Sequence, residues 1–193
     1  ARERNITMEL IIILLILGAP VLFGIVLYNR LVALRQTRKN AFSDIDVQLQ
    51  QRFDLIPNLV ETVKGYASHE QDTLQNVTDA RARVSKADTQ QERLNAEGAL
   101  GGALLNLFAV AENYPDLKAD ANFRQLQAEI ADIENKIAAA RRFFNNATSE
   151  YNTAVEQFPS SIVAKMFGFH QQPFFELDDK LEEAVRTAPE VKF

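Results

Sequence analysis

The sequence contains no cysteine, which excludes a disulfide framework, a thiolate metal site, a cysteine nucleophile and a lipid anchor attached through cysteine. Glycine and proline are also scarce, with seven and six among 193 residues, whereas the two together make up about 12% of an average protein. So little turn chemistry argues against barrels, sandwiches and propellers and favours a mostly helical chain. Two histidines are too few for a histidine-rich metal site. The net charge of -5 lacks the basic excess typical of nucleic-acid binding, so we expect no nucleic-acid partner.

One uncharged segment near the N-terminus is long enough to cross a bilayer. Residues 10–28 consist mainly of Ile, Leu and Val. As a helix rising about 1.5 Å per residue, this segment would be about 28 Å long, close to the hydrocarbon thickness. A cleaved signal peptide is the alternative, but its apolar core usually has only about 7–15 residues and is followed by an A-x-A-like site. No such site follows here, so we expect an uncleaved transmembrane helix behind a short tail at residues 1–9.

Basic residues flank this segment unequally. Only Arg2 and Arg4 precede it, whereas four basic residues follow it, namely Arg30, Arg35, Arg38 and Lys39. The positive-inside rule therefore predicts a single-pass protein of the inner membrane, with its N-terminus outside and its larger part in the cytoplasm. A periplasmic location of the larger part is the alternative.

Three stretches beyond residue 28 show helical periodicity. In the first, apolar residues recur every three or four positions from Phe42 to Tyr66, and the residues between them, Arg52 and Asp54 included, are predicted to face solvent. The second stretch, residues 69–112, is less regular, and its polar segment 85–89 indicates a loop. The turn at Tyr114-Pro115-Asp116 is predicted to end this second stretch, because the residue before a proline is disfavoured in the α region.

The second stretch contains Gly98, Gly101 and Gly102 within an apolar block. Each glycine lowers helix stability by about 1 kcal/mol relative to alanine. We interpret them as a place where two helix backbones approach closely. A phosphate-binding loop is the alternative, but no strand precedes these glycines and no Lys-Ser or Lys-Thr pair follows them.

The third stretch has the most regular pattern in the chain. Its apolar residues alternate in steps of three and four, which is typical of a long helix with a coiled-coil-like seam. The stripe consists of Phe123, Leu126, Ile130, Ile133, Ile137, Ala140, Phe144, Ala147, Tyr151, Ala154 and Phe158. Together the patterns predict an all-α protein, in which the transmembrane helix continues into an elongated antiparallel bundle of the four-helix type over residues 29–158.

A phenylalanine-rich segment at residues 159–177 follows the bundle and precedes an acidic tail at residues 178–193. Its aromatic residues are Phe167, Phe169, Phe174 and Phe175. The segment either caps one end of the bundle or docks on another subunit or on the membrane surface. Burial of each phenylalanine contributes about 2–3 kcal/mol, so something must cover these side chains. Because an anchor confines all copies to two dimensions and reinforces weak contacts, we expect the four residues to form contacts between subunits of a homo-oligomer.

Two long segments resemble the LemA family. They are YNRLVALRQTRKNAFSDIDVQLQQRFDLIPNLVETVKGYASHEQDTL at residues 28–74 and AENYPDLKADANFRQLQAEIADIENKIAAARRFFNNATSEYNTAVEQFP at residues 111–159. The closing Phe-Gly-Phe and Pro-Phe-Phe-Glu elements extend the resemblance to residues 22–177. It implies a bacterial protein with an N-terminal membrane anchor and a helical bundle, usually described as four-helical, and no established biochemical activity. Phe42 and Phe144 stand where many members have Trp and Tyr, which affects packing only.

Few residues indicate chemistry. Neither His69 nor His170 has a glutamate three residues before it, as the di-iron helical bundles require. Asp54, Glu61 and Asp116 could form a carboxylate cluster for a hard cation, but no Asp-x-Asp-x-Asp-Gly loop is present.

We therefore expect a membrane-anchored helical scaffold without enzymatic activity or cofactor. Its expected partners are the lipid bilayer, further copies of itself and other envelope proteins. The alternative is a carboxylate-based ligand or metal sensor, or an enzyme, built around Arg52-Phe53-Asp54 and Tyr114-Pro115-Asp116. Buried carboxylates with shifted pKa values in a pocket would distinguish this alternative from the scaffold.

Overall fold

The computed structural model describes residues 2–175, with side chains described at residue 8 and at 16–89 and 92–175. Within that range the chain forms helices and no strand, which confirms the predicted all-α class. The helices are α1 (Arg2–Tyr66), α2 (Gln71–Lys86), α3 (Gln90–Ala111), α4 (Pro115–Ala119), α5 (Ala121–Glu156) and α6 (Ser160–Phe167). The predicted acidic tail at residues 178–193 lies outside the described residues.

Contacts divide the chain into two units. Among the described residues, unit 1 contains residues 2–43 and 141–174, and unit 2 contains residues 44–140 and residue 175. The long helices α1 and α5 each contribute to both units.

One apolar cluster of unit 2 receives residues from α1 to α5. Its most deeply buried members are Ile56, Leu59, Val63, Ala67, Val77, Leu100, Leu107, Leu117, Phe123 and Ile130. The rings of Phe108 and Phe123 pack edge to face with their centroids 6.3 Å apart. The part of the predicted stripe from Phe53 to Val63 supplies one wall of this cluster, whereas Tyr66, its last member, is exposed.

The predicted loop at residues 85–89 is confirmed for residues 87–89, which connect α2 and α3, whereas Ser85 and Lys86 still belong to α2. The hydroxyl oxygen of Thr89 accepts a hydrogen bond from the Glu92 N–H at 3.2 Å, and the Glu92 carboxylate accepts one from the Thr89 N–H at 3.3 Å. This reciprocal pair is a capping box, whose T-x-x-E pattern is visible in the sequence. It satisfies two backbone donors and sets the start of α3.

The second stretch ends before Tyr114-Pro115, as predicted, but the short helix that Pro115 begins was not expected. The helix ends at Ala111, and Pro115 begins the separate helix α4. Proline is tolerated at the first position of a helix, where its missing N–H has no intrahelical partner. Tyr114, which precedes the proline, lies outside the α region at φ -116° and ψ 89°.

The apolar stripe of the third stretch forms the inner side of α5. All its members up to Ala154 are buried or half-buried, as predicted. Phe158 contradicts the pattern, because its side chain is 77% exposed. The helix ends at Glu156, so the chain leaves the helical path before the last position of the stripe.

We expect Ile133→Asp to unfold unit 2. Ile133 is 6% exposed, so the substitution would bury an unpaired carboxylate and remove an apolar contact. The combined cost is several kcal/mol, comparable with the total of about 5–15 kcal/mol that stabilises a domain. Circular dichroism and thermal melting measure the effect. Ala131→Asp, at an exposed position of the same helix, is the matched control, and an Ile133→Asp variant that melts like this control would show that the stripe is not the core.

Candidate membrane and assembly surfaces

The first part of α1 exposes a continuous apolar surface. Val21, Leu22 and Val26 are 63%, 66% and 63% exposed, and Ile16, Leu17, Phe23 and Ile25 are exposed as well. Two described helical segments are long and apolar enough to cross a membrane, namely α1 from Ile16 onward and Glu92–Ala111 of α3. The α3 segment supplies Leu100, Leu104 and Leu107 to the core of unit 2, which explains its apolar composition. The apolar surface of α1 has no such explanation.

This exposed surface ends at Leu27 and Tyr28. Both side chains are half-buried, because they pack against an apolar cluster of unit 1. The buried members of that cluster are Leu31, Tyr151, Ala154, Val163, Ala164 and Phe169, from α1, α5, α6 and the residues after α6. Burial raises the pKa of the Tyr151 phenol, and the nearby Arg35 and Arg38 partly oppose that increase.

Phe169 is a core residue of this cluster. Gly168 ends α6 in the left-handed conformation at φ +70°, which glycine adopts without steric penalty. The Phe169 N–H then donates to the Ala164 carbonyl at 2.9 Å, and the side chain turns inward. Its ring packs edge to face on Tyr28 at 5.7 Å, and the Arg35 guanidinium lies 5.0 Å from the ring centroid. Phe169 is thus covered within unit 1, and the expectation that it contacts another subunit is corrected.

The other three phenylalanines that were predicted to contact another subunit differ in exposure. Phe167 is exposed, although one side of its ring packs on Tyr28 with the centroids 4.8 Å apart. Phe174 is exposed and Phe175 is half-buried.

Polar contacts hold the segment before Phe174 against α1 and α5. Asn152 and Gln172 exchange two hydrogen bonds of 2.9 and 2.8 Å, and Arg38 donates to the Pro173 carbonyl at 3.0 Å. Arg38 also donates to Thr148 at 3.1 Å. Phe167 thus contacts α1 at Tyr28, whereas the backbone just before Phe174 contacts it at Arg38, ten residues further along.

Arg52 was predicted to face solvent, and this prediction is wrong. Its side chain is buried in unit 2, 3% exposed, between α3 and α5. Its Nη2 atom lies 2.6 Å from Oε2 of Glu97 and 3.0 Å from the Glu97 carbonyl, and its Nη1 atom lies 2.6 Å from Oε1 of Glu134. The partners are 45 and 82 residues away in sequence. No local pattern could therefore have indicated that Arg52 is buried against these two glutamates.

Arg52 and its two partners form a charged cluster in which Arg52 and Glu97 are buried and the Glu134 side chain is 41% exposed. Glu97 is buried, and burial raises the pKa of its carboxyl above the ordinary 4.5, although Arg52 opposes this increase. The folded chain therefore holds this proton more tightly than the unfolded chain, so the contribution of Glu97 to stability is lost as the pH rises through the raised pKa. Nε of Arg52 and Oε1 of Glu97 have no hydrogen-bond partner.

Gly101 and Gly102 do not show the predicted close approach of another helix backbone. A β-carbon at Gly101 would lie 3.5 Å from Nη1 of Arg52, and one at Gly102 would meet nothing within 4 Å. Gly101 therefore faces the guanidinium of Arg52, with which an alanine at this position would make an ordinary contact.

The carboxylates of the predicted ligand or catalytic site do not converge. Asp54, Glu61 and Asp116 are all exposed. In the part of the chain that the structure describes, no three His, Asp or Glu side chains are grouped so that they could hold a metal ion. Tyr114 donates to Glu70 at 2.8 Å, and this bond is the main reason that the pKa of its phenol is raised.

A second tyrosine bonds to a carboxylate in the same unit. Tyr66 donates to Asp120 at 2.9 Å, and Asp120 in turn accepts the Phe123 N–H at 2.9 Å near the start of α5. That backbone bond is the main reason that the pKa of the Asp120 carboxyl is lowered. These contacts join the ends of helices, and they explain the tyrosines without a catalytic role.

An all-α chain whose first helix is long and apolar enough to cross a membrane belongs to the class of membrane-associated helical proteins. The chain belongs to the LemA family, whose family model matches residues 41–193. The match confirms the resemblance seen in the sequence.

Named relatives share this similarity over most of the chain. Magnetosome protein MamQ of Magnetospirillum gryphiswaldense is 24% identical, over 77% of this chain and 64% of the relative. Magnetosome protein MamQ 2 of Paramagnetospirillum magneticum is 25% identical over the same shares. Protein LemA of Metamycoplasma hominis is 26% identical, over 78% of this chain and 69% of the relative. The chain thus spans less than two thirds of the length of the MamQ proteins that it matches.

We expect Arg52→Met to lower the free energy of unfolding by about 3–5 kcal/mol, because the Glu97 carboxylate would remain buried without its partner. Adding Glu97→Leu should recover most of this loss, since replacing both charges by apolar side chains is often neutral. Denaturant unfolding of the single and double variants measures the coupling. As control, Lys136→Met removes the exposed ion pair with Asp132 and should change stability by less than about 1 kcal/mol. A double variant no more stable than Arg52→Met would contradict this interpretation.

Proposed function

We propose that this protein is a non-enzymatic scaffold of the bacterial envelope, anchored by a single transmembrane helix, whose helical part associates with further copies of itself. The observation that carries the proposal is the exposed apolar surface of α1 around Val21, Leu22 and Val26. Lipid is the environment in which such a surface is stable. The helices beyond it bury apolar side chains against one another.

The interior of the helical units supports a structural role. The buried Glu97 carboxyl is engaged by Arg52, whereas Asp54 and Asp116 are exposed. A catalytic site would need such groups to converge on a pocket. The names of the MamQ relatives refer to a cell structure and not to a reaction, which also favours assembly over catalysis.

The proposed contact between copies involves Phe174 and Phe175. Phe174 is exposed on unit 1, and the hydrogen bonds of Asn152 with Gln172 and of Arg38 with Pro173 fix the backbone just before it. A rigidly held aromatic side chain loses little conformational freedom on binding. Because the anchor confines every copy to the plane of the membrane, a small contact of this kind gains from a high effective concentration.

We expect the Phe174→Ser, Phe175→Ser double variant to remain folded and to form smaller assemblies than the unaltered protein. Removing the two rings deletes the apolar part of the proposed contact, while the core clusters of both units stay intact. Mass measurement of the intact complex in mild detergent detects the change. Phe143→Ser, at another exposed phenylalanine of unit 1, is the matched control and should leave the assembly size unchanged. An unchanged assembly size with a lower melting temperature would show that Phe174 and Phe175 stabilise the protomer instead.

We further propose that the helical part lies in the cytoplasm, because four basic residues follow the apolar segment and two precede it. Protease added to intact spheroplasts should then leave the helical part uncut, and detergent should make it susceptible. A periplasmic protein and a cytoplasmic protein serve as controls for the integrity of the spheroplasts. Cleavage without detergent would place the helical part in the periplasm and overturn the charge argument.

A further inference from the structure

The short helix α6 has two contrasting faces. Val163 and Ala164 are buried in the cluster of unit 1, and Ser160 is buried through its hydrogen bond to the Ala154 carbonyl at 2.6 Å. Ile162 and Met166 point away from that cluster and are exposed. Phe167 ends the helix on the same side as Val163 and Ala164 but is exposed too, and so is Phe158 just before the helix. We call these four exposed apolar residues the α6 outer face. Lys165 is the single charged residue of the helix.

The α6 outer face lies at the level where the membrane-spanning surface of α1 ends. Phe167 packs on Tyr28, the last residue of the uncharged segment, with the ring centroids 4.8 Å apart. The cluster that holds α6 covers Leu27 and Tyr28, whereas Ile25 and Val26, less than one turn earlier, are exposed. Phe167 therefore places one end of the α6 outer face directly beside the end of the apolar surface of α1.

We propose that α6 is an interfacial helix, whose outer face rests in the headgroup region of the same bilayer that α1 crosses. Helices of this kind lie in the plane of the interface with large apolar and aromatic residues toward the acyl chains. Tyr28 supplies an aromatic side chain at this depth, where tyrosine is enriched. The stem of Lys165 is long enough for its ammonium group to reach the lipid phosphates while the helix stays embedded.

The continuity of the two surfaces favours lipid over a second copy of the chain as the occupant. If Val26 lies in hydrocarbon, then Phe167, which contacts Tyr28 two residues further along α1, is within about one helical turn, 5.4 Å, of the same environment. Lipid covers the outer face without any further partner. This inference does not depend on self-association, because the residues proposed for the contact between copies, Phe174 and Phe175, are placed further from the end of the apolar segment.

Depth measurements on the full chain in lipid vesicles test this proposal. Since the sequence has no cysteine, the variants Ile162→Cys and Met166→Cys can each carry one environment-sensitive fluorophore. Phe143→Cys is the matched control, because Phe143 is a residue of unit 1 that is 52% exposed, close to the 54% of Ile162. Its neighbour Phe144 packs on Phe42 with the ring centroids 5.7 Å apart. Phe42 is about 21 Å along α1 from Tyr28. The vesicles contain phosphatidylethanolamine and phosphatidylglycerol, with a nitroxide quencher attached near the lipid headgroup.

We expect the lipid-borne nitroxide to quench the labels at positions 162 and 166 at least about threefold more strongly than the label at position 143, and aqueous iodide to show the reverse order. Strong quenching of all three labels by iodide, with none by the nitroxide, would overturn the proposal. So would labels at 162 and 166 that are shielded from both quenchers while unlabelled Met166→Cys forms disulfide-linked dimers, because a second copy would then cover the outer face.

Discussion

The apolar surface of α1 is the constraint on which the rest of the structure depends. Val21, Leu22 and Val26 have no protein partner within the described part of the chain that could keep them from water. A helix with so wide an apolar surface is stable only in lipid, where all its backbone hydrogen bonds are made internally. Since the same helix continues to Tyr66, both units are built on an element whose first part belongs in the membrane.

The two units stabilise their parts of α1 in different ways. In unit 1, cationic side chains of α1 lie against aromatic rings, with Arg35 on Phe169 and Arg38 4.7 Å from the centroid of Phe144. In unit 2 the buried Arg52 of α1 pairs with the buried Glu97 of α3 and with Glu134 of α5, whose side chain is partly exposed. A buried ion pair adds little to stability relative to an apolar core, but a misplaced partner leaves a charge buried and unpaired. Such a pair therefore disfavours other registers of α1, α3 and α5.

Features with a local physical cause could be predicted from the sequence, and features with a distant cause could not. The stripe from Phe123 to Ala154 follows from helical periodicity alone. The surroundings of Arg52 depend on partners far along the chain, and its spacing resembles that of any solvent-facing arginine. The burial of Phe169 depends on the left-handed turn at Gly168, which composition does not specify. For the outer face of α6, the sequence indicated only a cluster of phenylalanines. It did not indicate that Phe167 packs on Tyr28, the contact that locates this face at the end of the apolar segment.

Extraction of membranes from cells that express the full chain tests most directly whether α1 is embedded in lipid. Washing with alkaline carbonate removes proteins held by charge or by contacts with other proteins, whereas a mild detergent dissolves the bilayer itself. We expect the protein to stay in the membrane pellet through the carbonate wash and to enter the supernatant in detergent, because its exposed apolar surface has no stable alternative in water. Recovery in the carbonate supernatant, or in the soluble fraction before any wash, would contradict the membrane anchor and with it the proposed function.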